Sequence, residues 1–80
     1  MAENTTRWIA HWLSQRRPGE DISITPDTDL YRTGLLDSLG IIELIEALEE
    51  EYDFLFTEEQ MQAGLTRVAD FERILEQQSP

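Results

Sequence analysis

The chain has 80 residues, 40% of them hydrophobic, and no cysteine. That suffices for one small core and excludes a disulfide scaffold, a thiolate metal site and a cysteine nucleophile. Seventeen acids against six bases give a formal net charge of −11, which opposes nucleic-acid backbones and anionic membranes and would attract basic protein patches.

Met1 to Thr6 carries no basic region followed by an apolar run, so it does not read as a secretory leader. No apolar segment approaches the ~20 residues of a membrane helix. These features lead us to expect a free-standing cytoplasmic monomer with one domain over residues 1–80. No membrane insertion and no nucleic-acid partner are expected.

In chain order, Asn4, Thr5 and Thr6 offer N-cap side chains for a first helix. Trp8, Ile9, Trp12 and Leu13 follow as one helical stripe, and Pro18-Gly19 ends it. Arg16 and Arg17 fall in the last turn, where positive charge suits the carbonyl end of the helix. Two tryptophans at this spacing read as core rather than as a ligand platform. His11 falls on the opposite, solvent side.

Residues 18–37 read as a long loop. Ile22 and Ile24 alternate with polar residues, but Pro26 and the lack of a partner strand argue against a strand. Ile22, Ile24, Leu30 and Leu35 are expected to pin the loop to the core. Loops of this length in small domains are often functional. Asp27-Thr28-Asp29 resembles the start of a calcium loop, but Arg32 and Ser38 occupy positions that need Gly and Glu. No metal site is expected.

Ser38 to Tyr52 is the clearest helix. At about 100° per residue, Ile41, Leu44, Ile45, Leu48 and Tyr52 share one side. Glu43, Glu46 and Glu50 lie opposite, with Glu49 on the border. Leu39 and Ile42 fall on or beside the acidic side, and apolar residues rimmed by charge describe a partner-binding patch. Thr57-Glu58-Glu59-Gln60 fits a capping box for a short third helix that Gly64 ends. Thr66 then caps a fourth segment, with Val68, Phe71, Ile74 and Leu75 at helical spacing through Gln77. The fold class is therefore all-α: a small four-helix bundle of three main helices and one short one, with a long loop between the first two.

The chain lacks the parts of an enzyme. Its lone histidine has no metal-ligating neighbour, no glycine-rich phosphate cradle is present, and no apolar pocket is visible that would tune a carboxyl for acid–base work. No catalytic residue is assigned. What remains is Ser38, preceded by an acid, followed by a leucine, at a helix start. Asp37 or Ser38 could equally serve as the cap.

The string Gly34-Leu35-Leu36-Asp37-Ser38-Leu39, followed by Glu43-Leu44 and Ala47-Leu48-Glu49-Glu50-Glu51-Tyr52, resembles the acyl carrier protein family, and so does the order of helix, long loop, helix, short helix and final helix. The resemblance implies a 4′-phosphopantetheine arm on Ser38, delivered from coenzyme A by a phosphopantetheinyl transferase that supplies magnesium and a base. It implies an arm thiol that holds acyl or aminoacyl groups as thioesters for a loading ligase and downstream biosynthetic enzymes. Asp37, Leu39, Ile42, Glu43, Glu46 and Glu50 would form the partner-binding face. Gly40 and Glu46 depart from the fatty-acid carriers, which usually have an acid and an apolar residue there. The Gly-Leu-Leu-Asp-Ser-Leu wording looks more like discrete carriers of amino-acid loading or specialised pathways, D-alanyl carriers included. An acidic helical adaptor that binds a basic protein without a prosthetic group is the alternative, and a small-ligand binder using the two tryptophans is a third.

Overall fold

The structure, a computed structural model, describes residues 2–78, with side chains from Thr5 to Gln77. Four helices run in order: α1 (Ala2–Arg16), α2 (Ser38–Tyr52), α3 (Glu58–Gln62) and α4 (Val68–Gln78). Among the described residues, strand pairing is limited to one antiparallel bridge between Asp29 and Arg67. The all-α bundle expected from the periodicity is the fold observed.

Helix α1 begins at Ala2, upstream of the expected cap. The Asn4 side chain lies outside the described residues. Thr5 and Thr6 stand inside the helix instead: Thr5 is buried, and the Thr6 hydroxyl donates to the Glu72 carboxylate of α4. Ile9 and Leu13 are fully buried, and Trp8 and Trp12 pack half-buried against the core. α1 and α4 form the closest helix pair.

Helix α2 has the bounds and the face expected of it. Leu44, Ile45 and Leu48 are buried and Ile41 packs half-buried beside them. Tyr52 lies beyond the core in the last turn; it is exposed and meets the Trp8 ring edge-on, centroids 6.4 Å apart. Asp53 ends the helix in left-handed backbone, φ 53°. Such conformations are uncommon outside glycine but tolerated by aspartate. The Phe54 N–H then reaches back to the Glu49 carbonyl at 3.2 Å, closing the turn. The Glu49 side chain also faces inward, accepting from the Phe56 N–H at 2.9 Å. That bond steers Phe56 into an aromatic chain with Phe54 and Phe71, at centroid distances of 4.7 and 6.2 Å.

The capping box of α3 is complete, with Thr57 accepting from the Gln60 N–H and Gln60 from the Thr57 N–H. In α4, Val68, Phe71, Ile74 and Leu75 are all buried. Thr66 does not cap this helix as expected. The Asp70 carboxylate accepts from the Thr66 and Arg67 N–H groups at 3.3 and 3.0 Å, capping from inside the first turn. The Thr66 hydroxyl is occupied elsewhere, donating to Asp29 at 3.2 Å.

That last bond belongs to the seam that holds the long loop. Asp29 Oδ1 accepts from the Tyr31 and Arg32 N–H groups, an Asx-type turn. These donors, Arg32 foremost, and the Thr66 hydroxyl hold its carboxyl below the usual range, against a smaller opposing effect of burial. Backbone bonds from Leu30 to Thr66, Val68 to Thr28 and Ala69 to Pro26 complete the seam, at 2.7, 3.0 and 2.9 Å. Leu30 is driven fully into the core, and Ile22 and Ile24 cover its edge half-buried, as expected. Leu35 packs half-buried against the core in the same way, and Leu36 is a deeper anchor beside it.

Leu36 lies against Gly40. A Cβ at position 40 would come within 2.9 Å of Leu36 Cδ2, 3.2 Å of Leu36 Cβ and 3.2 Å of Asp37 Oδ1. Gly40 is buried, so the leucine before α2 and the first turn of α2 approach through the gap that only glycine leaves.

Leu44→Ala and Leu48→Ala should each cost about 2–5 kcal/mol, a large part of the ~5–15 kcal/mol available to a small domain. Thermal or urea melts would show it, and a midpoint barely moved by either change would place this face of α2 outside the core. Gly40→Ala sets a helix-propensity gain of about 1 kcal/mol against overpacking of about 1–3 kcal/mol. Because Leu36 is buried with little room to yield, the melting temperature should fall. A rise would show that Leu36 moves aside freely.

Candidate functional site

Ser38 is the first residue of α2 and is exposed. Asp37, not Ser38, is the cap. It has extended backbone (φ −92°, ψ −173°), and its Oδ1 accepts from the Gly40 N–H at 2.7 Å. No hydrogen bond among the described residues uses the Ser38 hydroxyl. With Asp37 satisfying the helix end, the hydroxyl is left to project into solvent, next to the amide-rich end of a fifteen-residue helix. Phosphate groups are favoured at such an end.

Two supports fix where this serine stands. Behind it, buried Leu36 donates its N–H to the Leu30 carbonyl at 2.9 Å, tying the approach segment to the loop's own core anchor. Beside it, Arg17, which lies just past α1 and not in its last turn as expected, donates from Nη1 to the Leu35 carbonyl at 2.9 Å and the Gly34 carbonyl at 3.3 Å. Gly34 turns the chain with φ 80°, a backbone that side-chain-bearing residues rarely adopt. An open cleft of about 430 Å³ lies along this approach, lined by Arg16, Arg17, Glu20 and the segment Gly34 to Asp37.

The residues expected to form a partner face divide into two kinds. Leu39 and Ile42 are exposed, at 62% and 52%, although both are large apolar side chains on a helix. Asp37, Glu46 and Glu50 are exposed as well. Glu43 differs: its Oε1 lies 2.6 Å from Arg16 Nη1, in an ion pair between α2 and α1. Arg16 is held from the other side by the Trp12 ring, 4.8 Å from its centroid. Glu43 is thus partly a structural charge.

Sequence reasoning passed over Leu55 and Met61, exposed at 78% and 43%. Leu55 lies between Phe54 and Phe56, which turn inward. In extended chain, alternate residues point to opposite sides, and that alternation was the available signal. Met61 is on α3, which contributes no buried residue. A five-residue helix with nothing buried leaves its one large apolar side chain in solvent.

Among the described residues, no group of three or more His, Asp and Glu side chains could hold a metal. His11 is exposed, and its ring pairs with Gln15 at 3.1 Å. Among the described residues, no base is hydrogen-bonded to Ser38. The site therefore offers an unengaged hydroxyl on a fixed pedestal, with room on every open side for a substituent. That fits a covalently attached arm.

The comparisons with known proteins agree. The family described as "Phosphopantetheine attachment site" matches residues 11–75, and its prosthetic group is 4′-phosphopantetheine. D-alanyl carrier proteins of Streptococcus sanguinis, Streptococcus gordonii and Streptococcus mutans are each 50% identical over 34 residues. That stretch is 42% of this chain and 43% of each relative, less than half of either. No solved structure matches. With four-fifths of its length matched, displaying a serine at the start of its second helix, the chain belongs to the phosphopantetheine attachment site family.

Proposed function

We propose that Ser38 is the attachment residue, and that the chain, as one carrier domain over residues 1–80, holds acyl or aminoacyl groups and delivers them to partner enzymes. The observation that carries this reading is the division at the start of α2: Asp37 takes the cap and leaves the Ser38 hydroxyl exposed and unengaged. The chain acts as a handle rather than as a catalyst. The arm, once attached, supplies the thiol on which cargo is held as a thioester, which a cysteine-free chain cannot supply itself.

Loading falls to a phosphopantetheinyl transferase. Ser38 Oγ attacks the pantetheine-side phosphorus of coenzyme A and gives its proton to a base on that enzyme, which also brings the magnesium; the P–O bond of the diphosphate breaks and adenosine 3′,5′-bisphosphate leaves. This chain's part is to hold Oγ at a fixed place, through Leu36, Arg17 and the Asp37 cap. A loading ligase for an acyl or aminoacyl group and downstream biosynthetic enzymes are the other partners, in the cytoplasm. The D-alanyl carrier relatives favour an aminoacyl cargo. Leu39 and Ile42 give partners an apolar contact, and Asp37, Glu46 and Glu50 steer basic surfaces to it. Glu43 contributes to the same field, but through a charge it shares with Arg16.

Incubation with coenzyme A, magnesium and a broad-range transferase should raise the intact mass by one phosphopantetheinyl group. Ser38→Ala should show no gain. An unchanged wild-type mass with several competent transferases would leave the adaptor reading, in which the acidic helix binds a basic protein directly.

Charge reversal tests the face. Glu46→Lys with Glu50→Lys spares the Arg16–Glu43 pair and changes only exposed positions, where substitutions usually cost within about ±0.5 kcal/mol. Loading should slow by about 10-fold at low salt, within the range of steering effects. The defect should lie in the association rate and shrink as salt screens the wild type too. Equal rates at low salt would make this face an ordinary solvated surface.

A further inference from the structure

We propose that Arg16 is a built-in competitor for the partner face of α2: it masks Glu43 until a basic side chain of the arm-loading enzyme takes that carboxylate over. The proposal rests on Ser38 as the attachment residue and adds how docking beside it is regulated. Three observations point to it.

The first is where Glu43 stands. Residues three and four apart are neighbours on a helix surface. Glu43 therefore lies next to exposed Leu39 and exposed Glu46, within the apolar and acidic face that starts at Ser38. A carboxylate at this place suits an arginine or lysine of a partner. The second is that its charge is already matched. Arg16 Nη1 lies 2.6 Å from Glu43 Oε1, whereas the Glu46 and Glu50 side chains have no partner among the described residues.

The third is that the match is exchangeable. The Arg16 and Glu43 side chains are 38% and 42% exposed, and ion pairs at such exposure are weak. The Trp12 ring, its centroid 4.8 Å from the guanidinium carbon, gives Arg16 a place to stay when Glu43 leaves it. The seat of α1 rests on buried Ile9 and Leu13, so releasing a surface pair leaves the fold standing. The exchange is a swap of ion pairs with no covalent step: Glu43 leaves Arg16 and accepts from the partner's ammonium or guanidinium. Its cost is subtracted from docking. Arg16 thus weakens binding of basic partners in general and favours those with a cation placed to reach Glu43.

The test follows loading by intact mass, with coenzyme A, magnesium and a broad-range transferase at low salt. It compares Arg16→Gln, Glu43→Gln and the double variant. Arg7→Gln is the control. Arg7 is exposed and without a partner among the described residues, and it lies about 13 Å back along α1, so its loss changes net charge equally but unmasks nothing. Arg16→Gln should raise kcat/KM about threefold over Arg7→Gln, the scale of one exposed ion pair. The gain should come through KM and fade as salt rises. Glu43→Gln alone should slow loading little, because the charge it removes is masked. In the Arg16→Gln background the same change should abolish the gain. That dependence separates a mask from a mere tie between helices, whose loss would lower the melting temperature without raising the rate. An Arg16→Gln rate equal to or below that of Arg7→Gln, or the same Glu43→Gln effect in both backgrounds, would overturn the mask and leave Ser38 as the attachment residue. No mass gain in any variant, the wild type included, would overturn both.

Discussion

The place of Ser38 depends on how residues 17–37 are held. Ordering each residue of such a segment costs about 1–2 kcal/mol of backbone entropy, and the loop has no regular secondary structure to offset it. The offset comes from one seam. Asp29 organises its own turn with two backbone donors and takes the Thr66 hydroxyl. Next to it, Leu30 is buried completely and its N–H reaches the Thr66 carbonyl. Side chain, backbone and core contact thus converge within two residues. The loop's far end is then positioned by short links: Leu36 to Leu30, and Leu35 to Arg17.

The acids of this chain illustrate why a charge count does not describe a surface. Asp29, Asp37, Glu49 and Asp70 each accept backbone N–H groups at turns or helix ends. Glu43 and Glu72 join helices, through Arg16 and Thr6. Such carboxylates stabilise the fold by satisfying donors that would otherwise lack partners. The remaining exposed acids of α2 are those with no internal partner, and they supply the long-range field. The capping carboxylates keep their charge and still add to the net −11, but the acids free to meet a partner's side chains directly are the exposed ones.

Much of this was legible in the sequence, and for local reasons. The α2 span, the capping box at Thr57 and the buried stripe of α4 follow from helical periodicity and cap chemistry, which act over three or four residues. The prominence of Ser38 came from its string of neighbours. What periodicity could not see were contacts between distant residues: Thr66 to Asp29, Arg16 to Glu43, Arg17 to the Leu35 carbonyl. Thr66 looked like a cap because threonine before a helical stripe usually is one, and a partner 37 residues away took its hydroxyl. Gly40 was visible only as a departure from the fatty-acid carriers. Its reason, the close approach of Leu36, exists only in three dimensions.

The same glycine links packing to display. A side chain at position 40 would press on Leu36 and on the Asp37 carboxylate oxygen that caps the helix. Displacing either would change what holds the serine between them in sequence. If Asp37 lost its bond to the Gly40 N–H, the Ser38 hydroxyl would become the nearest side chain able to serve that helix end. A serine engaged in capping is a poorer nucleophile for an external enzyme, because its oxygen is turned inward to accept from the backbone. The absence of a side chain at Gly40 therefore does more than allow tight packing. In this chain it lets aspartate keep the structural role and leaves the neighbouring hydroxyl unengaged, as the attachment proposed at Ser38 requires.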